Sequence, residues 1–175
     1  NNLDRYRDGR FFIRQPGGKA VVRAAFTGPP GDPDLHGTIL SDSLWLYGLY
    51  ADSCAAEFSI DRFATAPRGA VEAAFYRGAA WDLPYDSGYT FITLDSNVTV
   101  IDTAIMRSPL ATLMGQGTLA SADSLQRMTI DTVLISIFDQ YFANQGKIRF
   151  TVDSLGFDIE QAAVASSDAA VELSG

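Results

Sequence analysis

Strict alternation of apolar and polar side chains constrains this chain more than any other feature. Ala56, Phe58 and Ile60 alternate with Glu57, Ser59 and Asp61, and Val71, Ala73 and Phe75 with Glu72, Ala74 and Tyr76. Ile148, Phe150 and Val152 alternate with Lys147, Arg149, Thr151 and Asp153. Phe157 and Ile159 alternate with Asp158 and Glu160, and Ala169, Val171 and Leu173 with Ala170, Glu172 and Ser174. Successive side chains of a strand point to opposite faces, so each run has one dry and one wet face.

Less regular runs predict further strands over 10–14, 19–27, 35–40, 43–49, 89–94, 97–106, 111–120 and 128–138. Turn formers separate them: Gln15-Pro16-Gly17-Gly18, the loop from Gly28 to Pro33, Ala66-Pro67-Arg68-Gly69, Asp86-Ser87-Gly88, Asp95-Ser96-Asn97 and Asn144-Gln145-Gly146. Residues 139–143 read as a short helical turn and 78–85 as a loop carrying Trp81. About a dozen short strands in one domain, 1–175, predict an all-β, mainly antiparallel fold.

A weak internal echo runs through the chain. Asp-Ser-Leu recurs at Asp42, Asp123 and Asp153. An aliphatic residue followed by Asp and Ser or Thr occurs at Leu94-Asp95-Ser96, Ile101-Asp102-Thr103, Ile130-Asp131-Thr132 and Val152-Asp153-Ser154. Either ordinary turn statistics or an array growing along one axis accounts for it.

The residues offer little to catalysis. With one cysteine, Cys54, and one histidine, His36, neither an internal disulfide nor a Cys/His zinc site can form. No Gly-x-Ser-x-Gly elbow is present to pair with His36, which reads as a solvated residue at a strand start. Asp82, Asp86, Asp95 and Asp102 fall on wet phases or in turns, a poor placement for acid catalysis. Asp32 and Asp34 flank Pro33 and read as turn residues, not calcium ligands. Gly115-Gln116-Gly117 lies between strands and reads as a bulge, not a phosphate loop. Asn97-Val98-Thr99 fits the glycosylation triplet. The expectation is a chain that is not an enzyme, with no metal and no cofactor.

Charge narrows the partners. Thirteen Lys and Arg against 21 Asp and Glu give −8, which disfavours nucleic acid and anionic headgroups. Any lipid function must then use apolar surface. The longest charge-free stretch, 108–122, is too short and too polar to span a bilayer. The chain opens Asn-Asn-Leu-Asp without a Met and is expected to be an internal fragment of a longer protein. Alternation alone leaves two architectures open. In a closed sandwich the dry residues are sealed core; in an open, curved sheet they line a groove.

Residues 125–175, "LQRMTIDTVLISIFDQYFANQGKIRFTVDSLGFDIEQAAVASSDAAVELSG", resemble the AsmA/TamB superfamily of Gram-negative envelope proteins. The likeness lies in two alternating strands, a "DQ-aromatic" hinge, a strand, an Asp-Ser-Leu element, another strand and a closing Leu-x-Gly. Residues 35–61 and 95–120, the latter ending "GQGTLA", look like earlier units; the segment 1–34 matches less well. The resemblance implies an elongated, curved, open-groove sheet (a β-taco) like that of bridge-like lipid-transfer proteins. It implies a periplasmic protein, tethered to the inner membrane by a segment not present in this chain, that carries phospholipid between the two membranes and supports outer-membrane biogenesis. The implied partners are phospholipid acyl chains, neighbouring β-repeats and an outer-membrane barrel protein. The groove lining is then expected to be Ala56, Phe58, Ile60, Val71, Ala73, Phe75, Ile148, Phe150, Val152, Phe157, Ile159, Val171 and Leu173. The alternative is a closed β-sandwich that serves as a structural or partner-binding module of a cell-envelope protein.

Overall fold

The computed structural model describes residues 17–46, 49–80, 83–122, 125–138, 140–152, 157–166 and 170–173. The predicted strand over 10–14 and the residues Trp81, Asp123 and Asp153 lie outside them. Twelve strands form: β1 (Gly17–Thr27), β2 (Asp34–Leu46), β3 (Leu49–Asp61), β4 (Arg68–Ala80), β5 (Leu83–Asp95), β6 (Val98–Arg107), β7 (Ala111–Ala122), β8 (Leu125–Ile137), β9 (Gln140–Asn144), β10 (Ile148–Val152), β11 (Phe157–Ala165) and β12 (Ala170–Leu173). No helix occurs among the described residues, and so none long enough to cross a membrane.

All twelve belong to one open antiparallel sheet that follows chain order from β1 to β8 and continues through β10, β11 and β12. β9 and β10 are collinear. Both pair with β8, whose 134–137 half faces β9 and whose 126–130 half faces β10. Gln145–Lys147 therefore interrupts one strand position and does not reverse the chain, as the turn formers there had predicted. The expected helical turn at 139–143 is corrected too, since Gln140–Asn144 is strand. Most of the expected loop at 78–85 is likewise strand, divided between β4 and β5.

The first eight strands are 10 to 13 residues long, about twice the usual length. They looked shorter in the sequence because the apolar phase changes partway along many of them. In β3 the even residues from Cys54 to Ile60 face one side, yet Ala51 packs with Leu44 and Phe75 on that same side. Ladder registers locate the cause in one-residue irregularities. Against β1, β2 carries an extra residue at Asp42; Lys19 faces Ser43 while Ala20 faces Ser41. β6 carries one at Asp102 and β8 one at Asp131. In β11 the extra residue is Glu160. Pairing also lapses at Asp52, Arg77 and Asp86 on three adjoining strands, and Arg77 has φ 46°. Asp86-Ser87-Gly88, which reads as a turn, thus lies inside β5.

A bulge leaves backbone groups without ladder partners, so polar side chains must take their place. The Ser41 hydroxyl lies 2.8 Å from the carbonyls of Lys19 and Ser43. The Gln116 amide donates to the Asp102 carbonyl at 2.8 Å. Asn144 repeats the arrangement one bulge further on: it donates to the Asp131 carbonyl at 3.0 Å and accepts from the Val133 amide at 2.7 Å. The Tyr85 hydroxyl donates to the Tyr50 carbonyl at 2.8 Å, beside the lapse at Asp52. The Asp-Ser/Thr echo is therefore largely a bulge signature. Of its members among the described residues, Asp42, Asp102 and Asp131 sit at bulges and Asp95 at a hairpin turn, while two Asp-Ser pairs outside the echo, Asp52-Ser53 and Asp86-Ser87, sit at the lapses.

Because the bulge in β6 absorbs Asp102, its deletion should heal the ladder with β5 and β7 and leave both faces intact. The expected cost is below about 2 kcal/mol, for the lost Thr93 and Gln116 contacts. Deleting Val100 instead turns Ile101 outward and Asp102 into the apolar rows. That should cost about 4 kcal/mol or more, or abolish folding. Urea unfolding of the two deletion variants separates these outcomes.

Candidate functional site

Directly paired residues of an antiparallel ladder share a face, so the registers trace rows across the sheet. One row runs Ala24, Gly37, Phe58, Val71, Ile92, Ile101, Gly117, Ile130, Ile148. The next runs Phe26, Leu35, Ile60, Gly69, Leu94, Thr99, Leu119, Met128, Phe150, Ile159. On the other side run Val22, Ile39, Ala56, Ala73, Thr90, Ala104, Gly115, Val133, and then Ala20, Ser41, Cys54, Phe75, Gly88, Met106, Leu113, Ile135, Phe142. These four rows contain no charged residue. Of their polar members, Ser41 caps a bulge, and Thr90 donates to the Thr103 carbonyl at 3.1 Å.

Nine of the thirteen expected lining residues occupy these rows: Ala56, Phe58, Ile60, Val71, Ala73, Phe75, Ile148, Phe150 and Ile159. Val152 faces Phe157 in the ladder, and Val171 and Leu173 face Val164 and Ala162; the side chains of Val152, Phe157, Val171 and Leu173 lie outside the described residues. Sequence reasoning missed Leu44, Leu49, Ala51, Ala80 and Tyr85, which join the same face beyond the bulges. The available signal was the Asp-Ser pair, which marks where the phase changes.

The face is not sealed. Among the described residues no large side chain is fully buried, whereas the inner residues of a sandwich core would be. The closed-sandwich architecture is therefore not what this sheet forms. Its best-covered residues are small or at one end: Ala51 (0% exposed), Ala80 and Tyr85 (both 3%), Ala73 and Ile148 (both 6%). Aromatic rings lie over cross-strand glycines. A Cβ on Gly37 would come 2.8 Å from the Phe58 ring, one on Gly88 3.4 Å from Phe75, and one on Gly78 2.7 Å from the Tyr85 hydroxyl. Ring on glycine flattens the surface and covers backbone that has no side chain of its own.

The opposite face is mixed: one uncharged row crosses it through Val21, Leu40, Ala55, Ala74, Tyr89, Ile105, Met114, Leu134 and Ala143, and charged residues lie beside that row. Arg23, Thr38, Glu57 and Glu72 follow one another across β1–β4. His36 lies 2.9 Å from the Ser59 hydroxyl, its ladder partner. A depression of about 220 Å³ there is lined by Tyr76, Ser87, Tyr89, Ile105 and Arg107.

The remaining candidates have structural partners. Asp32 accepts from Thr65 Oγ1 at 2.6 Å and from Arg62 Nε at 3.2 Å, and these bonds hold its carboxyl below the usual range. Asp34 accepts from the Arg62 amide at 3.0 Å. The pair thus clamps the β1–β2 loop to the β3–β4 loop. Asn97 donates to the Ser121 carbonyl at 3.1 Å. Burial pushes the free Cys54 thiol up. Among the described residues no group of three or more His, Cys, Asp or Glu could hold a metal ion.

No protein-family description, curated protein or solved structure matches the chain.

Tyr85 makes the buried end of this face sensitive to pH. Burial, reinforced by Cys54, Asp52 and Tyr50, pushes its phenol up to about 12. A phenol that ionises later in the folded than in the unfolded state stabilises fully below its unfolded value of 10.0. That contribution fades as pH rises from about 10 towards 12. Wild-type protein should lose urea resistance across this window. Tyr85→Phe should be about 1–2 kcal/mol less stable at pH 7, from the lost bond to Tyr50, and should show a shallower alkaline decline.

Proposed function

We propose that this chain is a groove segment of an AsmA/TamB-like envelope protein, with its uncharged face carrying phospholipid acyl chains. One observation carries the reading: four uncharged rows cross eight or more strands each, on a sheet with no second layer to cover them. A sheet that needed those residues only for its own core would fold over or close. An acyl chain laid on the face gains roughly 0.8 kcal/mol for each methylene removed from water. Sliding along a row from strand to strand exchanges like for like, so movement across the sheet meets no large step.

Ten intervals of about 4.8 Å across eleven strand positions make a track about 48 Å wide. That is room for one or two lipids but not for a periplasm, so the reading includes further repeats that pair with the edge strands. A periplasmic site, an inner-membrane tether outside this chain, and a barrel partner belong to the same proposal. They rest on the resemblance of 125–175 and its echoes. No step of this function calls for a catalytic residue or a cofactor.

Native mass spectrometry of the purified chain, with lipid extraction of the same sample, tests the reading. Phospholipid should copurify at near-stoichiometric amounts. Phe150→Glu, which puts a charge into an uncharged row, should remove it and leave the far-ultraviolet strand signal unchanged. A lipid-free wild-type monomer, or undiminished lipid on Phe150→Glu, would overturn the proposal.

A further inference from the structure

The face opposite the dry rows carries a polar row. Tyr76, Ser87, Arg107, Thr112, Ser136 and Tyr141 are direct ladder partners on successive strands from β4 to β9. Five of them carry a hydroxyl, and Arg107 is the row's one charge. Among the described residues, none of these six side chains hydrogen-bonds or ion-pairs with another protein group. Elsewhere the sheet commits such groups to its own backbone: Ser41, Thr90, Gln116 and Asn144 all hold carbonyls. The donors and acceptors of this row are left to whatever lies outside the chain.

Two residues along each strand runs the uncharged row through Ala74, Tyr89, Ile105, Met114 and Leu134. A hydroxyl rail and an apolar rail thus lie in parallel over five strand intervals of about 4.8 Å, roughly 24 Å in all. Ser87, Thr112 and Ser136 are half-buried, while the rings at the two ends stand out, Tyr76 51% and Tyr141 64% exposed. Where the rails meet on β4–β6, the depression of about 220 Å³ opens between Tyr76, Ser87, Tyr89, Ile105 and Arg107. At about 30 Å³ for each water it has room for about seven, the size of one pyranose ring.

We propose that this depression binds the acidic sugar of a glycan, with the sugar carboxylate on Arg107. Three observations commit the site to that occupant. A sugar ring has hydroxyl edges and apolar C–H faces, the same pairing that the two rails present. Hydroxyls both donate and accept, so Tyr76 and Ser87 match a sugar hydroxyl in either role, and phenol rings cover apolar surface while keeping a polar tip. The guanidinium of Arg107 is a planar fork that takes a carboxylate through two bonds, and neither rail holds an acid to compete for it. One positive charge balances a carboxylate but not the nearly double charge of a phosphate monoester. The chain's net −8 repels a polyanion, so the acidic sugar sits among neutral ones, which Thr112, Ser136 and Tyr141 are placed to receive. The site lies on the other side of the sheet from the dry rows and does not depend on the lipid reading.

Amide NMR titration of the full chain with sialyllactose, which carries one carboxylate, tests it; lactose lacks the acid, and acetate lacks the sugar. Sialyllactose should shift the amides around Tyr76, Ser87 and Arg107 and bind about tenfold tighter than lactose or acetate. Arg107→Gln replaces an exposed side chain and should melt like wild type. It should weaken sialyllactose about tenfold or more, the worth of a charge-assisted pair, and leave lactose unchanged. Tyr76→Ala should weaken both sugars, whereas Phe150→Glu should bind them as wild type does. No shift with sialyllactose, or equal binding by wild type and Arg107→Gln, overturns the proposal. Acetate or inorganic phosphate bound as tightly as sialyllactose makes this a site for an anion alone and also overturns it.

Discussion

A strand has two faces, so any extra residue must be absorbed or it inverts every side chain beyond it. The rest of this structure depends on that constraint. Its long strands carry extra residues at Asp42, Asp102, Asp131 and Glu160, and matching lapses at Asp52, Arg77 and Asp86. Each could turn apolar residues into water and acids into the dry rows. None does, because the ladder closes around it. Side-chain amides and hydroxyls replace the missing ladder bonds, and the acidic side chain stays among polar partners: Asp102 with Thr93 at 2.5 Å, Asp131 with Lys147 at 2.7 Å. Gln116 on Asp102 and Asn144 on Asp131 perform the same task on successive bulges. The repetition in the sequence is thus, in good part, a repetition of this device.

That device also sets what could be read from the sequence. Runs that lie on one side of a bulge, such as Val71–Ala73–Phe75 or Ile148–Phe150, were legible at once, and they fall in common rows. Strands crossed by a bulge were not. β2 reads as two strands because its dry residues pass from odd (Leu35, Ile39) to even (Leu44) at Asp42. β5 reads as a turn followed by a strand because Asp86-Ser87-Gly88 has the composition of a turn but sits among paired neighbours. Composition reports which residues tolerate irregular backbone; only the neighbouring strands decide whether the irregularity reverses the chain or is swallowed by the sheet. β9 was missed for a related reason: five residues are too few to show a period, and its place is set by β8 and β11.

The uncharged face was legible as alternation, but its openness was not, since sealed and open sheets need the same pattern. Burial decides that point. The residues that come nearest to full burial are alanines and the aromatic that roofs Gly78, while Phe58, Ile60, Phe75 and Phe150 keep part of their surface in water. In a single-layer sheet each strand is stabilised only by those beside it, as in other arrays that grow along one axis. Such a sheet has no second layer of its own and leaves apolar area uncovered, which any apolar occupant would be drawn to cover.

The texture of that face bears on the kind of occupant it suits. Phe58 and Phe75 lie over Gly37 and Gly88, the Tyr85 hydroxyl lies over Gly78, and Ser41 and Thr90 in the rows are bonded to backbone carbonyls. A specific small-molecule site needs the reverse: a concavity with a few convergent polar groups that fix one orientation. The depression of about 220 Å³ with Tyr76, Ser87 and Arg107 lies on the opposite face. Across the dry rows no charge marks a preferred place, so an occupant held by area alone would be as stable in one register as in the next. Such uniformity makes a poor receptor, and it is the physical requirement for a surface along which acyl chains slide.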